Sequence, residues 1–446
     1  MRSQRMSSMA SLFLATTAIG CGTGVEVQAD DLEIGTLQSD VSTTLPNNKE
    51  FENATGKSSS FSTAGSIDLT GSFFQSLGTN GRSCNTCHLP SDGWTVSARS
   101  AQQIFDESDG TAPLFEFDGQ NCRGADRSTR AARRAASSLM IDKGLVRFDK
   151  AFPATGEIEI IAATGTYCNA TDALNHVVYR RPLPTTNFRA LGTLLWDGLG
   201  NVIAPNPLDA MPVLFIGGTL LHAEGNAPPS NEQIADGVGM MLSLSNAQID
   251  DEDAGKLDRK GALGGAENHA SADLTGPPGF TIYDAWAVGQ GDKAEERERV
   301  AAGQAIFNTR TFQITGVGGL ADRTGTCAGC HRVANQGNQS GFNTLNIGIA
   351  SAALRTPDLP LYTLRNKVTG ETTQTSDAGT AIFTGSWTDI GKFKVPMLRG
   401  LAARAPYFHN GFAKDLKAVV SFYNARFNIG LTNREKDNLE SFLRAL

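Results

Sequence analysis

The sequence contains one five-residue pattern twice, as Cys84-Asn85-Thr86-Cys87-His88 and as Cys327-Ala328-Gly329-Cys330-His331. C-x-x-C-H is the signature of covalent haem attachment, in which both cysteines form thioethers with the porphyrin and the histidine binds iron. Cysteines three positions apart lie on one helical turn, so both can reach the vinyl groups of one porphyrin. The sequence therefore predicts two covalently bound haem c groups, with His88 and His331 as proximal iron ligands.

The alternative interpretation of the two motifs is a single zinc site in which both cysteine pairs bind one Zn²⁺ tetrahedrally. A Cys₄ zinc site has no need of a histidine after each pair. The export signal described below is also typical of c-type cytochromes. Haem attachment is therefore the favoured interpretation.

The composition is that of a folded, acidic protein. At 446 residues, 40% of them hydrophobic, the chain is long enough for two or three domains and lacks the bias of disordered proteins. The formal net charge of −7 gives no support to nucleic-acid binding, whereas an acidic surface suits the docking of a basic electron-donor protein.

Residues 1–21 have the pattern of an export signal. Two arginines precede an apolar run over about 10–19, which is too short to span a bilayer as a mature helix. The run ends in Ala18-Ile19-Gly20-Cys21, which resembles a bacterial lipobox with Cys21 lipidated. Ordinary signal-peptidase cleavage is the alternative, since Ala18 replaces the usual leucine. We expect an exported protein, either periplasmic or anchored by lipid alone and facing the periplasm or cell surface.

Two cysteines remain when four are assigned to haem and Cys21 to lipid. An oxidising compartment predicts a disulfide between Cys122 and Cys168, with two unrelated buried thiols as the alternative. Both lie in a region of about 99–180 that holds no His or Met well placed as an iron ligand and is interpreted as an insertion. Within it, 157–161 alternates like a strand.

Composition and periodicity divide the chain into segments. Residues 22–65 are rich in small polar residues, which predicts a flexible tether. Residues 66–289 are interpreted as a first haem domain with the insertion, and 290–446 as a cytochrome c domain closed by a helix with a capping box at Thr432 and Glu435. A helix is predicted before each haem motif. The predicted fold is mainly α, with two cytochrome c-like haem lobes and an insertion in the first.

The chain resembles the bacterial di-haem cytochrome c peroxidase superfamily over most of residues 66–446. The likeness rests on the two haem motifs, on Leu195-Trp196-Asp197-Gly198, on GKFKVP at 391–396 and on APYFHNG at 405–411. The superfamily includes peroxidases, enzymes that mature tryptophan tryptophylquinone, and rubber oxygenases. The resemblance implies that the first haem reacts with peroxide or oxygen, that the second transfers electrons, and that Trp196 relays electrons between them.

The resemblance also places a sixth ligand for the second haem after His409. Tyr423 aligns with that position, where peroxidases of the family have methionine and quinone-maturing enzymes have tyrosine. A tyrosinate lowers the iron potential, whereas a thioether raises it. Met397 is the alternative ligand, because its segment approaches the same haem. His409 is expected to contact a propionate or support a ligand rather than bind iron.

The first haem lacks the distal residues of the family's peroxidases. Those enzymes have a removable distal histidine between the first motif and the W-D-G sequence, where His176 is the only histidine here. They also have a later glutamate, for which Glu224 and His222 are the nearest candidate proton-transfer groups. The family's calcium is doubtful, because the aligned positions are Arg181 and Arg404.

These features predict an enzyme that reduces hydrogen peroxide with electrons passed from the second haem to the first. The implied partners are a small electron-donor protein of cytochrome c or cupredoxin type, and hydrogen peroxide or dioxygen; a homodimer is left open. One alternative is an oxygenase or protein-oxidising enzyme, favoured by Tyr423 and the missing distal histidine. The other is a membrane-tethered electron carrier without catalysis, favoured by the missing distal glutamate.

Overall fold

Short helices and short strands alternate along the chain. The structure is a computed structural model that describes residues 42–165, 167, 176–289, 291–339, 341 and 344–446. The described part belongs to one unit, Ser42–Leu446. The α-helices are α1 (Ala98–Ser108), α2 (Arg130–Ala136), α3 (Ser138–Lys143), α4 (Leu199–Ile203), α5 (Met211–Gly217), α6 (Asn231–Ser243), α7 (Ala266–Ser271), α8 (Ala294–Thr309), α9 (Cys327–Cys330), α10 (Ala381–Thr384), α11 (Leu416–Arg426) and α12 (Asn433–Arg444).

The strands are β1 (Thr44–Pro46), β2 (Glu50–Asn53), β3 (Gly56–Ser62), β4 (Ser66–Asp68), β5 (Val146–Lys150), β6 (Ile158–Thr164), β7 (His176–Arg180), β8 (Leu244–Asp251), β9 (Gly255–Lys256), β10 (Phe312–Ile314), β11 (Arg323–Gly325), β12 (Thr344–Leu345), β13 (Leu361–Asn366), β14 (Thr372–Thr375) and β15 (Phe393–Lys394). Within the described residues they form six sheets. The larger ones have the strand orders β2-β3-β8-β9 and β14-β13-β6.

The prediction of a mainly α protein is wrong. Helical residues make up 34% of the structure and strands 19%. The strands are two to eight residues long, mostly too short for an alternating pattern to stand out in the sequence. β6 is the exception, since the alternation at 157–161 predicts a strand and the structure confirms one at Ile158–Thr164.

The later part of the predicted tether, 22–65, is folded, which corrects that prediction. β3 pairs antiparallel with β8 over its whole length, and Ser58, Ser59 and Ser60 are at most 2% exposed. Small hydroxyl side chains suit a linker and a tightly packed strand alike, so composition does not separate the two. Residues 22–41 of the predicted tether, like 1–21, lie outside the described residues.

The helix predicted before each haem motif is confirmed only at the second. There α8 packs against α12, and Gly303 permits the close approach, because a Cβ at this position would lie 2.0 Å from Asn438 O. The predicted capping box of α12 at Thr432 and Glu435 is also confirmed. Before the first motif the apolar run at 73–77 forms turns, because flanking glycines leave too few good helix formers to continue a helix.

The segment interpreted as an insertion is joined to the C-terminal part of the chain. β6 pairs with β13, and β5 pairs with β7. β7 ends at Arg180, so the pairing of β5 with β7 positions Arg180 and Arg181 at the candidate functional site. The division of the haem region at residues 289 and 290 stays a prediction.

Separate clusters of buried apolar side chains surround the two haem motifs. One includes Phe73, Trp94 and Met211, and the other includes Phe307 and Phe442. Across the described ranges, the structure shows no helix that is both long enough and apolar enough to cross a bilayer.

Candidate functional site

The first haem motif forms a tight turn that presents its histidine to a cavity. The His88 N–H donates to Cys84 O at 3.1 Å, and the His88 Nδ1 lies 2.9 Å from Trp94 O. A carbonyl can only accept, so Nδ1 carries the proton and Nε2 keeps the lone pair that an iron needs. Burial lowers the pKa of His88 to about 4, which keeps the imidazole neutral at pH 7.

The second motif repeats this geometry. The His331 N–H donates to Cys327 O at 3.0 Å, and the His331 Nδ1 lies 2.5 Å from Gly337 O. Burial lowers the pKa of His331 to about 4 as well. An aromatic ring packs near each imidazole, with centroid distances of 6.3 Å from Phe73 to His88 and 5.9 Å from Phe307 to His331.

Each motif opens on a largely apolar cavity. The first cavity, of about 380 Å³, is lined by Cys84, Cys87 and His88. The second, of about 220 Å³, is lined by Cys327, Cys330 and His331. Two thiols and one neutral imidazole on an apolar wall suit the attachment and proximal ligation of a haem c. These residue sets therefore fit the cofactor that the motifs predict.

The two cavities share a wall. The residues that line both are Arg181, Pro182, Leu183, Pro184, Trp196 and Lys394. Trp196 Nε1 donates to Arg181 O at 2.7 Å, and the Lys394 N–H donates to Trp196 O at 2.8 Å. Main-chain contacts thus hold the Trp196 indole and the Trp196 backbone in the wall between the two cavities.

His409 lies beside Trp196 on the side of the second cavity. The two rings are 6.2 Å apart, and His409 stacks on Phe393 with a centroid distance of 3.9 Å. Burial lowers the pKa of His409 to about 4, and its Nε2 has no hydrogen-bond partner within the described part of the chain. The Nε2 lies 3.8 Å from Asp377 Oδ2. The predicted contact of His409 with a propionate or a ligand stays a prediction.

Tyr423 and Met397, the alternative sixth ligands, both line the second cavity. Tyr423 packs against the buried cluster of the second motif, and burial, followed by the nearby Cys330 and Cys327 thiols, raises the pKa of its hydroxyl. Met397 instead belongs to the buried cluster that includes Trp94, beside the first motif. This packing favours Tyr423 without testing ligation.

The structure brings His222 to the first cavity but not Glu224. His222 lines the cavity with a half-exposed side chain, and its Nδ1 is bonded to Asp118. Glu224 contributes to a different surface pocket, where its carboxylate accepts from Asn80 Nδ2 at 3.3 Å. His222 is therefore the better placed of the two predicted proton-transfer groups.

Two charged residues that line the first cavity are not predicted from the sequence. Asp118 and Arg82 are each 3% exposed and form a buried ion pair. Arg82 Nη2 also donates to Cys87 Sγ at 3.4 Å. Burial would raise the pKa of Asp118, but its bonds to His222 and Arg82 lower it, so the carboxylate is charged. Arg82 and Asp118 are 36 positions apart, a spacing that carries no signal in the sequence.

The first cavity also contains two thioether side chains. Met211 and Met241 line the first cavity and belong to the buried cluster that includes Phe73. Their positions on α5 and α6 predict core packing, and thioether ligation is a competing hypothesis for the first iron. His176, by contrast, is buried against Tyr362 at a centroid distance of 4.2 Å and lines neither motif cavity.

The residues aligned with the family's calcium site do not fit a metal cation. Arg181 and Arg404 are both buried, and their guanidinium groups donate hydrogen bonds to main-chain carbonyl oxygens there. The positive charges would repel a metal cation, and these carbonyl oxygens already have donors. Among the residues the structure describes, no cluster of three or more His, Cys, Asp or Glu side chains could hold a metal ion.

As for the predicted disulfide, Cys122 is disulfide-bonded, and Cys168 lies outside the described residues.

Comparisons with known proteins agree with this donor set. No protein-family model matches the chain. Cytochrome-c peroxidase IdrP1 of Denitromonas iodatirespirans is 28% identical over 187 residues, which is 37% of this chain and 44% of that protein. IdrP2 of the same organism is 30% identical over 133 residues, 27% of this chain and 36% of that protein. These matches support membership of the di-haem cytochrome c peroxidase/MauG superfamily.

A further match of the superfamily is short. Methylamine utilization protein MauG of Paracoccus denitrificans (strain Pd 1222) is 53% identical over 34 residues, 8% of this chain and 9% of that protein. A solved structure titled as a MauG-like protein associated with microbial copper homeostasis is 15% identical, covers 83% of this chain and 85% of that chain, and has a TM-score of 0.37, too low to carry an argument. The matched region is less than half the length of each curated relative, so the relatives support a haem c-containing di-haem oxidoreductase in general.

Proposed function

We propose that this chain is an exported di-haem c-type oxidoreductase that reduces hydrogen peroxide to water. In this proposal Trp196 would relay electrons from a haem held by His331 to a haem held by His88. The observation that carries the proposal is that Trp196 lines both motif cavities. A haem bound at each motif supplies an iron that changes oxidation state and, at the first motif, a position for the oxidant.

The donor sets of the two motifs support the proposal that each motif holds one haem. Each motif would supply two thioether sulfurs and one neutral imidazole whose Nδ1 is fixed by a main-chain carbonyl. A fixed Nδ1–H sets the ring orientation and the tautomer, so Nε2 points its lone pair at the cavity side. Tyr423 is proposed as the sixth ligand of the second haem, with Met397 as the alternative.

Proton supply is proposed to fall to His222. Reduction of one H₂O₂ to two H₂O consumes two electrons and two protons. Asp118 holds His222 Nδ1, which leaves Nε2 as the atom that can take up or release a proton. The ring is 55% exposed, so it can exchange that proton with solvent, and the buried Arg82 keeps Asp118 ionised while it does so.

A second candidate function is oxidation of an organic or protein substrate by the same haem pair. Tyr423 at the second cavity favours it, because a tyrosinate stabilises a more oxidised iron than a thioether does. One curated relative in the comparison is named as MauG, a methylamine utilization protein. The product distinguishes the candidates: the peroxidase consumes a reduced donor protein, whereas the alternative leaves the donor unused and modifies another substrate.

The proposed setting follows from the sequence and the charge. The chain is proposed to be exported, and a lipid on Cys21 is proposed as its only membrane attachment. A net charge of −7 suits a basic cytochrome c or cupredoxin as electron donor. Dioxygen is the alternative oxidant, and a homodimer is the alternative to a monomer.

The first prediction tests the relay. Trp196→Phe should lower steady-state peroxide reduction at least about tenfold, because an increase of about 1.4 kcal/mol in the barrier to electron delivery has that effect. Stopped-flow absorbance should show the first haem still binding peroxide. Trp387→Phe is the matched control, since Trp387 lines neither motif cavity and donates instead to Glu371 at 3.1 Å.

Three results would count against the peroxidase proposal. Equal rates in the two tryptophan variants would remove Trp196 as the relay. Peroxide that perturbs neither haem would favour the tethered electron carrier. Peroxide-dependent modification of an organic or protein substrate, with the donor protein unused, would favour the second candidate function.

A further inference from the structure

The side chain of Arg181 lies in a cage of main-chain carbonyls. Its Nη1 donates to Lys143 O at 2.6 Å, and its Nη2 donates to Val96 O at 2.8 Å and Arg404 O at 2.9 Å. The residue is 5% exposed. Three carbonyls from distant parts of the sequence therefore converge on one guanidinium, which links α3, the segment before α1 and the segment after β15.

No carboxylate within the described residues forms an ion pair with Arg181. The carboxylate that acts on it electrostatically is Asp92, whose oxygens accept from Ser97 N at 2.7 Å and Ser100 Oγ at 2.8 Å. Burial lowers the pKa of Arg181 to about 10, so the group stays charged at pH 7. Carbonyl dipoles in direct contact, with the Asp92 carboxylate acting from further away, thus compensate this buried charge.

The main chain of the same residue holds the shared wall between the cavities. Arg181 O accepts from Trp196 Nε1 at 2.7 Å, and the Arg181 N–H donates to His409 O at 2.7 Å. A change in the position of the guanidinium cage therefore moves the acceptor of the indole N–H. The cage has little room to adjust, because a Cβ at Gly144 would lie 2.5 Å from Arg181 Nη1.

We propose that Arg181 is a built-in cation that crosslinks these three segments and positions Trp196 between the two cavities, a role elsewhere open to a bound metal ion. A guanidinium cannot dissociate, so the geometry of the shared wall does not depend on divalent cations. Arg181 is a positioning residue, since it contacts the indole and not a reacting atom. The inference rests on the proposed relay role of Trp196 only for its kinetic consequence.

The test compares Arg181→Gln, which removes the charge, with Arg181→Lys, which keeps it. The matched control is Arg189→Gln, because Arg189 also donates to main-chain carbonyls, at 3.2 Å to His269 O and Ala272 O, yet lines neither motif cavity. Ultraviolet resonance Raman of the holoprotein reports the indole N–H bond, with Trp196→Phe identifying its band. Stopped-flow absorbance reports inter-haem electron transfer.

The expected result is a shifted Trp196 band and at least about tenfold slower transfer in Arg181→Gln. Arg181→Lys should recover part of both effects, and Arg189→Gln should change neither. Unfolding temperature and turnover of the unmodified holoprotein should be the same in a divalent-metal chelator and in added calcium. If Arg181→Gln does not fold, the Arg181→Lys spectrum and the chelator comparison decide the matter.

An unchanged indole band in folded Arg181→Gln would overturn the inference, as would loss of unfolding temperature on chelation that calcium restores. A shifted band with unchanged transfer, together with unchanged transfer in Trp196→Phe, would leave Arg181 as the positioning cation and refute the relay. The two failures are therefore distinguishable.

Discussion

The two C-x-x-C-H sites reach the same imidazole geometry by different means. In each, the histidine Nδ1 bonds a carbonyl six residues further on, at Trp94 in the first and at Gly337 in the second. Both of these residues have positive φ, +65° and +78°. Glycine adopts that conformation at little cost, whereas a bulky side chain is strained there. The first site therefore needs a compensating interaction that the second does not.

That interaction comes from β3. Trp94 is fully buried, and its Nε1 donates to Ser60 Oγ of β3 at 2.8 Å. Ser60 also accepts from Asn246 Nδ2 at 3.2 Å. The positive φ of Trp94, whose carbonyl orients His88, is thus supported by a tertiary contact of its own side chain, whereas Gly337 has no side chain that needs such support.

The cavities differ as well in the chemistry that lines them. The first contains the hydrogen-bonded chain of Arg82, Asp118 and His222, which is suited to proton transfer. The second offers Tyr423 and Met397, which are suited to closing an iron coordination position. The same attachment motif is therefore surrounded by different chemistry at the two sites, because different distant segments lie opposite each histidine.

The largest expected effect concerns the covalent attachment of haem, which we expect to be the same at both motifs. The double variants Cys84→Ala/Cys87→Ala and Cys327→Ala/Cys330→Ala should each leave one haem covalently attached, because both thioethers are lost from one motif only. The measurement is the pyridine haemochrome ratio of haem to protein, which should fall from two to one. A ratio of one in the unmodified protein, or bound zinc without haem, would refute two-haem attachment.

A smaller effect should separate the sites by ligation. Tyr423→Phe should convert the second iron from low spin to high spin and raise its reduction potential, because an anionic ligand that stabilises the ferric state is lost. Electron paramagnetic resonance and redox titration of both haems measure this, and the first haem's signals should not change. Met397→Leu is the companion variant. If Met397→Leu changes the signals of the second haem and Tyr423→Phe does not, Met397 is the ligand. Two low-spin haems in every redox state would point to Met211 or Met241 at the first.

The features that could be predicted from the sequence are those encoded within a single short stretch of residues. The haem motifs, the strand at 157–161 and the capping box at Thr432 and Glu435 each lie within one short stretch, and the last two are confirmed. The bond between Ser60 and Trp94 and that between Asp118 and His222 join segments 34 and 104 positions apart. Neither leaves a periodic or compositional trace, so the folded tether and the buried acid escaped prediction.

The smallest predicted effect tests whether β3 supports the first site. Ser60→Ala removes the acceptor of a buried indole N–H, and an unsatisfied buried donor costs about 1–3 kcal/mol. Ser59→Ala is the matched control in the same strand, because Ser59 Oγ is equally buried and has no hydrogen-bond partner within the described residues. Denaturant unfolding should show a loss in Ser60→Ala and little change in Ser59→Ala. Since Trp94 O orients His88 and Gly337 O orients His331, the Ser60 variant should also perturb the first haem's spectrum and leave the second unchanged. Equal stability and equal spectra in both serine variants would mean that the strained Trp94 holds its conformation without β3, and the contrast between the two sites would then rest on their cavities alone.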